Sequence, residues 1–419
     1  VAILTLAAKS LWNRRLTSVL VVLAIALSVT LLLGVERLRT QARASFANTL
    51  SGTDLIVGAR GSPINLLLYS VFRIGDPTNN VNWTSYRTLA ADPQVAWTVP
   101  LSLGDSHRGF RVLGTDRSYF EHYQYGRHQP LRLAEGREFE DLFDAVLGAE
   151  VAERLGYRLG QSIVLAHGAG EVSFALHEDK PFRVVGILAR TGTPVDQTVH
   201  VSLEGIEAIH ADWRGGAPVP GFHLSAEQVR QLDLTPKTIT AFLVGLKTKT
   251  AIFRVQREIN EFAAEPLLAI LPGLTLQQLW DLLGLAENAL LVVSGLVVLV
   301  SFTVMLVALL TGLNERRREM AILRAVGARP EQIFALVLGE SAALALTGAV
   351  LGISLLQGAL LLAGPVLEAR LGLAIAGWPP SSHELVLLTA VLGCGVFAGF
   401  FPAWRAYRYS VADGMTIRI

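Results

Sequence analysis

The chain holds a single cysteine, Cys394, set inside an apolar run, which excludes an intrachain disulfide framework and any cysteine-based metal site. It also lacks a G-x-x-x-x-G-K-[ST] run anywhere in its 419 residues, so it offers no P-loop to cradle ATP phosphates and should bind no cofactor itself. Its nine histidines, His107, His122, His128, His167, His177, His200, His210, His223 and His383, show no H-E-x-x-H or comparable spacing. They read as ordinary surface or core histidines on the external side, with no metal ligand assigned and a metal-linked cargo or partner as the alternative. No Ser/His/Asp pattern stands out either, and catalytic residues are expected to be absent. Charge is scarce, at 17% of residues against 51% hydrophobic. That is too apolar for an ordinary soluble protein and too polar to lie wholly in a membrane, so the chain should be both. The net charge of +1 gives no reason to expect a nucleic-acid partner.

What is present is four long apolar runs. Residues 1–16 read as a cytoplasmic amphipathic lead-in, with Leu4, Ala8, Leu11 and Trp12 on one helical side and Lys9, Arg14 and Arg15 free to face water or headgroups. Residues 17–35 form an uncharged run that, at about 1.5 Å per residue, spans nearly the ~30 Å hydrocarbon layer. A cleavable signal peptide is the alternative, but the run is long and no small-residue cleavage site follows it. Residues 286–313, 330–363 and 385–403 are the second, third and fourth spans, with a short external loop at 364–384 and a cytoplasmic tail at 404–419. Residues 36–285 hold two stalks and a large extracytoplasmic domain. Strand-like runs at 55–57, 110–113, 163–166, 172–176, 182–188, 199–201 and 239–246 alternate there with helical segments at 149–155 and 251–264. The fold class expected is an α-helical integral membrane protein with four transmembrane helices and a mixed α+β domain between the first two. Whether that domain is one body or two lobes stays open.

The most informative stretch lies between the second and third spans, at 314–329. Glu315, Arg316, Arg317, Arg318 and Glu319 end the second apolar run, because each such charge at the bilayer centre costs roughly 3 kcal/mol. Met320, Leu323 and Gly327 then recur at helical spacing, with Ile322 and Val326 alongside, which predicts a helix of about two turns. Gly327 supplies its stop, and Pro330 with Glu331 restarts the third span.

These residues resemble the MacB/FtsX/LolC type of ABC transporter permease, whose pattern here, E-R-x-x-E-I-x-x-x-R-A-x-G-A, stands as Glu315, Arg316, Glu319, Met320, Arg324, Ala325, Gly327 and Ala328, with Met320 for the usual Ile. The resemblance implies that this segment, Leu323 included, is a coupling helix seated in a cleft of a partner ATPase. A basic helix lying on anionic lipid is the plainer reading. The closing stretch resembles the family's G-x-x-P-A-x-x-A through Gly399, Pro402, Ala403 and Ala406, and 112–116, 135–165 and 182–188 are similar to its extracytoplasmic core domain.

Three further features bear on function. Glu340 sits inside the third span, where a carboxylate is a functional candidate, a snorkelling or hydrogen-bonded group being the alternative. Gly348 and Gly352 have the small-xxx-small spacing that admits a close helix, from this chain's own bundle or from a second copy. The apolar stretch Leu66, Leu67, Leu68, Val71 and Phe72 either touches cargo or fills a core. Arginines and lysines cluster on the side of the chain's two ends and of 314–329, whereas the external loop holds only Arg370, so the positive-inside rule places both ends in the cytoplasm of an inner-membrane protein and the large domain outside.

The resemblance therefore implies a permease whose ATP and Mg sit on a separate ABC ATPase, two copies of which serve two permease copies, homo- or heterodimeric. It would act on a lipoprotein, lipid, peptide or small-molecule cargo, with a periplasmic adaptor and membrane lipid as further partners. The alternative within the family is an FtsX-like signalling protein that regulates an external hydrolase or sensor. A membrane-anchored enzyme is the third reading, and it leaves the charged hairpin unexplained.

Overall fold

A computed structural model describes residues 14–168, 175–214, 217–219, 223–315, 317–371 and 379–408. The chain divides into two compact units, residues 1–42 with 283–419 and residues 43–282.

Among the described residues, four helices are long and apolar enough to cross a membrane: Arg15–Ala47, Pro272–Glu315, Pro330–Leu371 and Ser382–Tyr407. In the first unit their buried residues form one apolar seam. Val21, Ile25, Val29 and Leu32 recur every three or four residues on the first helix and meet Phe302, Met305 and Leu309 of the second, Leu344, Ala349 and Leu356 of the third and Val391 of the fourth. The opposite face of the first helix exposes Leu20, Leu23, Leu27 and Leu31, an arrangement suited to hydrocarbon rather than water. Polar groups inside this bundle are satisfied in pairs. Ser301 donates from Oγ to the Ala24 carbonyl at 3.0 Å, and Thr30 donates from Oγ1 to the Gly352 carbonyl at 2.9 Å. A Cβ on Gly352 would lie 2.7 Å from the Ala26 carbonyl oxygen, and one on Gly348 2.7 Å from the Ile25 Cβ. Both glycines thus bring the first and third helices of the same chain together.

The first helix differs from expectation near its outer end. Glu36 and Arg37, read as the start of a solvated stalk, are both buried. Glu36 pairs with Arg39 at 3.0 Å, and Arg37 pairs with Glu384, a residue assigned by sequence to the external loop but found in the first turn of the fourth helix.

The second unit is built on a twelve-stranded sheet whose main path runs Leu267–Ile270, Leu55–Ala59, Ala241–Leu246, Val95–His107, Phe110–Thr115, Thr198–Ser202, Asp144–Leu147, Phe182–Leu188 and Leu133–Gly136. Pairing is parallel between Thr198–Ser202 and Phe110–Thr115 and between Phe182–Leu188 and Asp144–Leu147, and antiparallel elsewhere on the path. Side chains alternate across Leu55–Ala59. Ile56 joins Leu66, Leu67 and Leu243 on one face, while Leu55 and Val57 join Phe242, Val255 and Ile259 on the other. The apolar segment Pro63–Val71 is therefore a core helix. A third cluster, with Val112, Ala145, Leu147, Phe182 and Val201, fills the far half of the sheet.

One thirteen-residue strand, Val95–His107, serves both halves: residues 95–101 pair with Ala241–Leu246 and residues 102–107 with Phe110–Thr115. The register against Phe110–Thr115 shifts between Leu103 and Ser106, a bulge at Gly104 and Asp105. Extra residues of this kind bend a strand and re-aim its side chains. Here the bulge carries Asp105, directly opposite His167 on the short strand Ala166–His167.

Candidate functional site

The hairpin after the second long helix is built from a short helix, Arg317–Ala325, and a tight exit. Its nine residues are too few to be stable alone, so packing must hold it. That packing comes from Met320, which is 3% exposed and lies in a cluster with Leu313, Ile333, Leu336, Val337, Ala403 and Ala406. The helix closes as a left-handed turn: Gly327 has φ 105°, and the amides of Gly327 and Ala328 donate to the carbonyls of Arg324 (3.1 Å) and Leu323 (2.9 Å). The third long helix starts three residues later, where the Arg329 amide donates to Gln332 Oε1 at 3.0 Å.

The residues singled out from sequence divide by face. Met320 points inward as the anchor, Leu323, Arg324 and Ala328 are half-buried, and Glu315, Glu319, Ala325 and Gly327 are exposed. Arg316 lies outside the described residues. The largest apolar groups on the outer face are Ile322, 61% exposed, and Val326, 84% exposed. Sequence spacing had set both beside the main stripe; the fold makes them the hairpin's free surface.

Behind the hairpin, Glu340 is buried and lines a cavity of about 40 Å³ with Arg14, Ser18, Gly312, Met320 and Leu344. Arg14 donates to the Gly312 carbonyl at 3.0 Å and pairs with Glu315. By the same volume measure one water needs ~10–15 Å³, so the cavity has room for more than one. Gly399 and Pro402 are buried on the fourth helix. A Cβ on Gly399 would clash with the Ser341 side chain, so this glycine lets the third and fourth helices touch.

In the second unit the histidines do not stay apart as their spacing suggested. His167, His177 and His210 converge on Asp105, and one ligand atom from each of the four lies within 4.8 Å of the others. Burial pushes the Asp105 carboxyl up, but hydrogen bonds from His167 and His210, and charge on His210 and His177, outweigh it and hold the group at about 2. Burial, and then the His210 charge, hold His177 down to about 4. His210 is raised, the hydrogen bond and charge of Asp105 overcoming burial. No local sequence signal could have found this group, since its members come from three separated parts of the chain.

The model of the MacB-like periplasmic core domain matches residues 18–262, and that of the FtsX-like permease C-terminal region matches residues 291–411. The chain belongs to the MacB/FtsX type of ABC transporter permease. As a member of that type it is a membrane protein with an extracytoplasmic domain, carried between its first two membrane helices. A curated relative, the pyoverdine export ATP-binding/permease protein PvdT of Pseudomonas fluorescens, is 26% identical over 371 residues, covering 86% of this chain and 52% of the relative. The chain thus spans about half the length of the curated relatives it matches. Solved structures similar to this MacB/FtsX-type permease include the periplasmic region of MacB from Actinobacillus actinomycetemcomitans (11% identity, TM-score 0.35, 55% of this chain and 94% of that one). The extracellular domain of the transporter YknZ from Gram-positive bacteria is another (13% identity, TM-score 0.32, 52% and 98%).

Proposed function

We propose that this permease couples ATP hydrolysis, carried out by an ABC ATP-binding subunit outside these 419 residues, to motion of its extracytoplasmic domain, and that the motion moves or extracts a cargo. The observation that carries the reading is the division of the hairpin's faces. Met320 ties the short helix to the ends of the third and fourth long helices, while Ile322 and Val326 stand free. An ATPase cleft that closes on Ile322 and Val326 would push on a lever whose other side is already packed against the membrane helices. The four spans offer little for a polar channel: Ser28, Ser301, Thr303 and Ser354 all donate to carbonyls of their own or neighbouring helices. Cargo handled outside the bilayer fits that lining better than cargo passed through it.

In this reading the active assembly has two permease copies and two ATP-binding subunits, lies in the cytoplasmic membrane with both ends and the hairpin inside, and carries ATP and Mg on the ATPase. The similarity to pyoverdine export proteins favours transport, with a small molecule, peptide, lipid or lipoprotein as cargo, over signalling. The test is purification of the tagged chain from its native membrane in mild detergent, with the stoichiometry of everything retained. A near-equimolar ABC ATPase supports the reading. Its absence even after ATP addition and mild cross-linking overturns it.

A further inference from the structure

The external unit gathers three imidazoles and a carboxylate that the permease reading leaves without a task. Asp105 comes from the bulge of the long central strand, His167 from the strand paired with it, His177 from just after the return strand Ala175–Leu176, and His210 from the end of helix Leu203–Ile209. His167 Nδ1 lies 3.1 Å from His210 Nε2 and 3.2 Å from Asp105 Oδ1, and His210 Nε2 lies 3.5 Å from the same oxygen. Four donors around Zn2+ at bond lengths of about 2.0–2.1 Å are separated by the edge of a tetrahedron, roughly 3.3 Å. The three observed separations bracket that edge. Without an ion these atoms are held together by protons that His167 and His210 share with Asp105. A cation at their centre would satisfy all of them.

The surroundings support a built site. His210 Nδ1 lies 2.9 Å from the Ile206 carbonyl and donates to it, which aims Nε2 at the cluster, where a metal would displace its proton. Such an outer partner fixes the tautomer of a metal-ligating histidine. His177 is 2% exposed, and its Nε2 is buried with no hydrogen-bond partner. The Trp213 ring lies 4.9 Å from those of His167 and His177 and 5.3 Å from that of His210, closing one side with an apolar wall. The His167 side chain is 35% exposed and that of His210 24%, which leaves a route for an ion.

We propose that Asp105, His167, His177 and His210 form a binding site for a divalent transition metal of the Zn2+ class. The donor set of nitrogens with one oxygen argues against Mg2+ and Ca2+, which take oxygen ligands, and Cu(I) would want the thiolate or thioether ligands this cluster lacks. Four protein ligands close the coordination shell, as in structural or regulatory sites, whereas a catalytic zinc keeps an open position. The bound ion would tie the Ala166–His167 strand, the return strand and the Leu203–Ile209 helix to the bulge of the central strand.

The test uses the full chain in detergent, stripped with chelator and titrated with Zn2+ against a chromophoric competitor. One saturable site per chain is expected, with affinity lowered at least about tenfold in His177→Gln and in Asp105→Asn. His383→Gln, at an exposed position on the fourth long helix, should leave it unchanged. Co2+ in place of Zn2+ should give the visible bands of a tetrahedral ion, lost in His177→Gln protein whose circular dichroism and gel filtration match wild type. Where a ligand variant does not fold, Trp213→Phe serves instead: Zn2+ should alter the emission of wild type and not of this variant, while still binding it. A wild-type chain without stoichiometric Zn2+ uptake, an octahedral Co2+ spectrum, or undiminished affinity in a folded His177→Gln variant overturns the proposal.

Discussion

Arg37 of the first long helix grips Glu384 of the fourth with two hydrogen bonds, Nε to Oε1 at 2.9 Å and Nη2 to Oε2 at 2.5 Å, and both side chains are almost fully buried. Glu384 is held for this role by its place in the first helical turn, where its amide donates to the capping Ser381 hydroxyl at 3.2 Å. Bidentate arginine–carboxylate geometry is the strong form of the interaction, and burial makes loss of one partner severe. Arg37→Ala or Glu384→Ala should each destabilise the detergent-solubilised chain by ~3–5 kcal/mol, because the remaining buried charge loses its bidentate partner. Arg37→Met with Glu384→Leu should recover most of that loss. Thermal unfolding of the four proteins gives the coupling energy, and purely additive single losses would mean that the pair does not act as a unit.

The glycines of the third helix separate contact from mere composition. Gly352→Val forces a side chain against the Ala26 carbonyl and Val29, so melting should fall by the equivalent of about 1–3 kcal/mol of overpacking. Gly358, also on that helix, has nothing within 4 Å of where a Cβ would go. Gly358→Ala should be neutral or stabilising by roughly 0.5–1 kcal/mol, through the helix preference for alanine. A melting comparison in which both behave alike would contradict the packing described.

The two faces of the hairpin predict opposite phenotypes. Ile322→Asp and Val326→Asp change exposed positions, so insertion and melting should stay near wild type while permease-stimulated ATPase activity falls by tenfold or more. Met320→Asp buries a charge in the cluster with Leu336 and Ala403, so it should reduce membrane yield and melting temperature before any question of coupling arises. Reconstituted ATPase assays beside thermal melts distinguish the two classes. Full coupling in Val326→Asp would remove this face from the contact.

Acid stability should depend on His200. It is fully buried, its Nδ1 donates to the Val146 carbonyl at 3.2 Å, and burial, followed by the positive charge of Arg73, holds its pKa at about 3. The unfolded chain takes up the proton near pH 6.5 and the folded chain does not until about pH 3, so the unfolded state binds more protons between those values. Stability is fully present above about pH 6.5 and declines as pH falls toward 3, by up to roughly 5 kcal/mol from this residue. Denaturant unfolding at stepped pH should show that slope, and His200→Phe should flatten it.

Sequence made the four spans, the hairpin and five of the nine strands on the sheet's main path legible because each is a local signal. Apolar length marks a span, and Phe182–Leu188 reads as a strand from its own composition. The central strand Val95–His107 did not show, because Pro100 and Gly104 within it are read as breakers. The proline is accommodated in the paired register opposite Phe242, and the glycine in the bulge. Arg37 and Glu384 lie 347 residues apart, and each alone looks like a solvated charge at a helix end. The histidine cluster was hidden for the same reason, since only the sheet register sets Asp105 opposite His167.

The shared central strand has a mechanical meaning. Its two ends are sewn into different neighbours, so the halves of the external sheet have no flexible joint between them: bending one against the other would mean bending a single strand across its own hydrogen bonds. Load along that strand is borne by many backbone bonds at once, in shear. Peeling would break them singly. Among the described residues the two halves of this sheet are therefore held as one continuous structure through that strand.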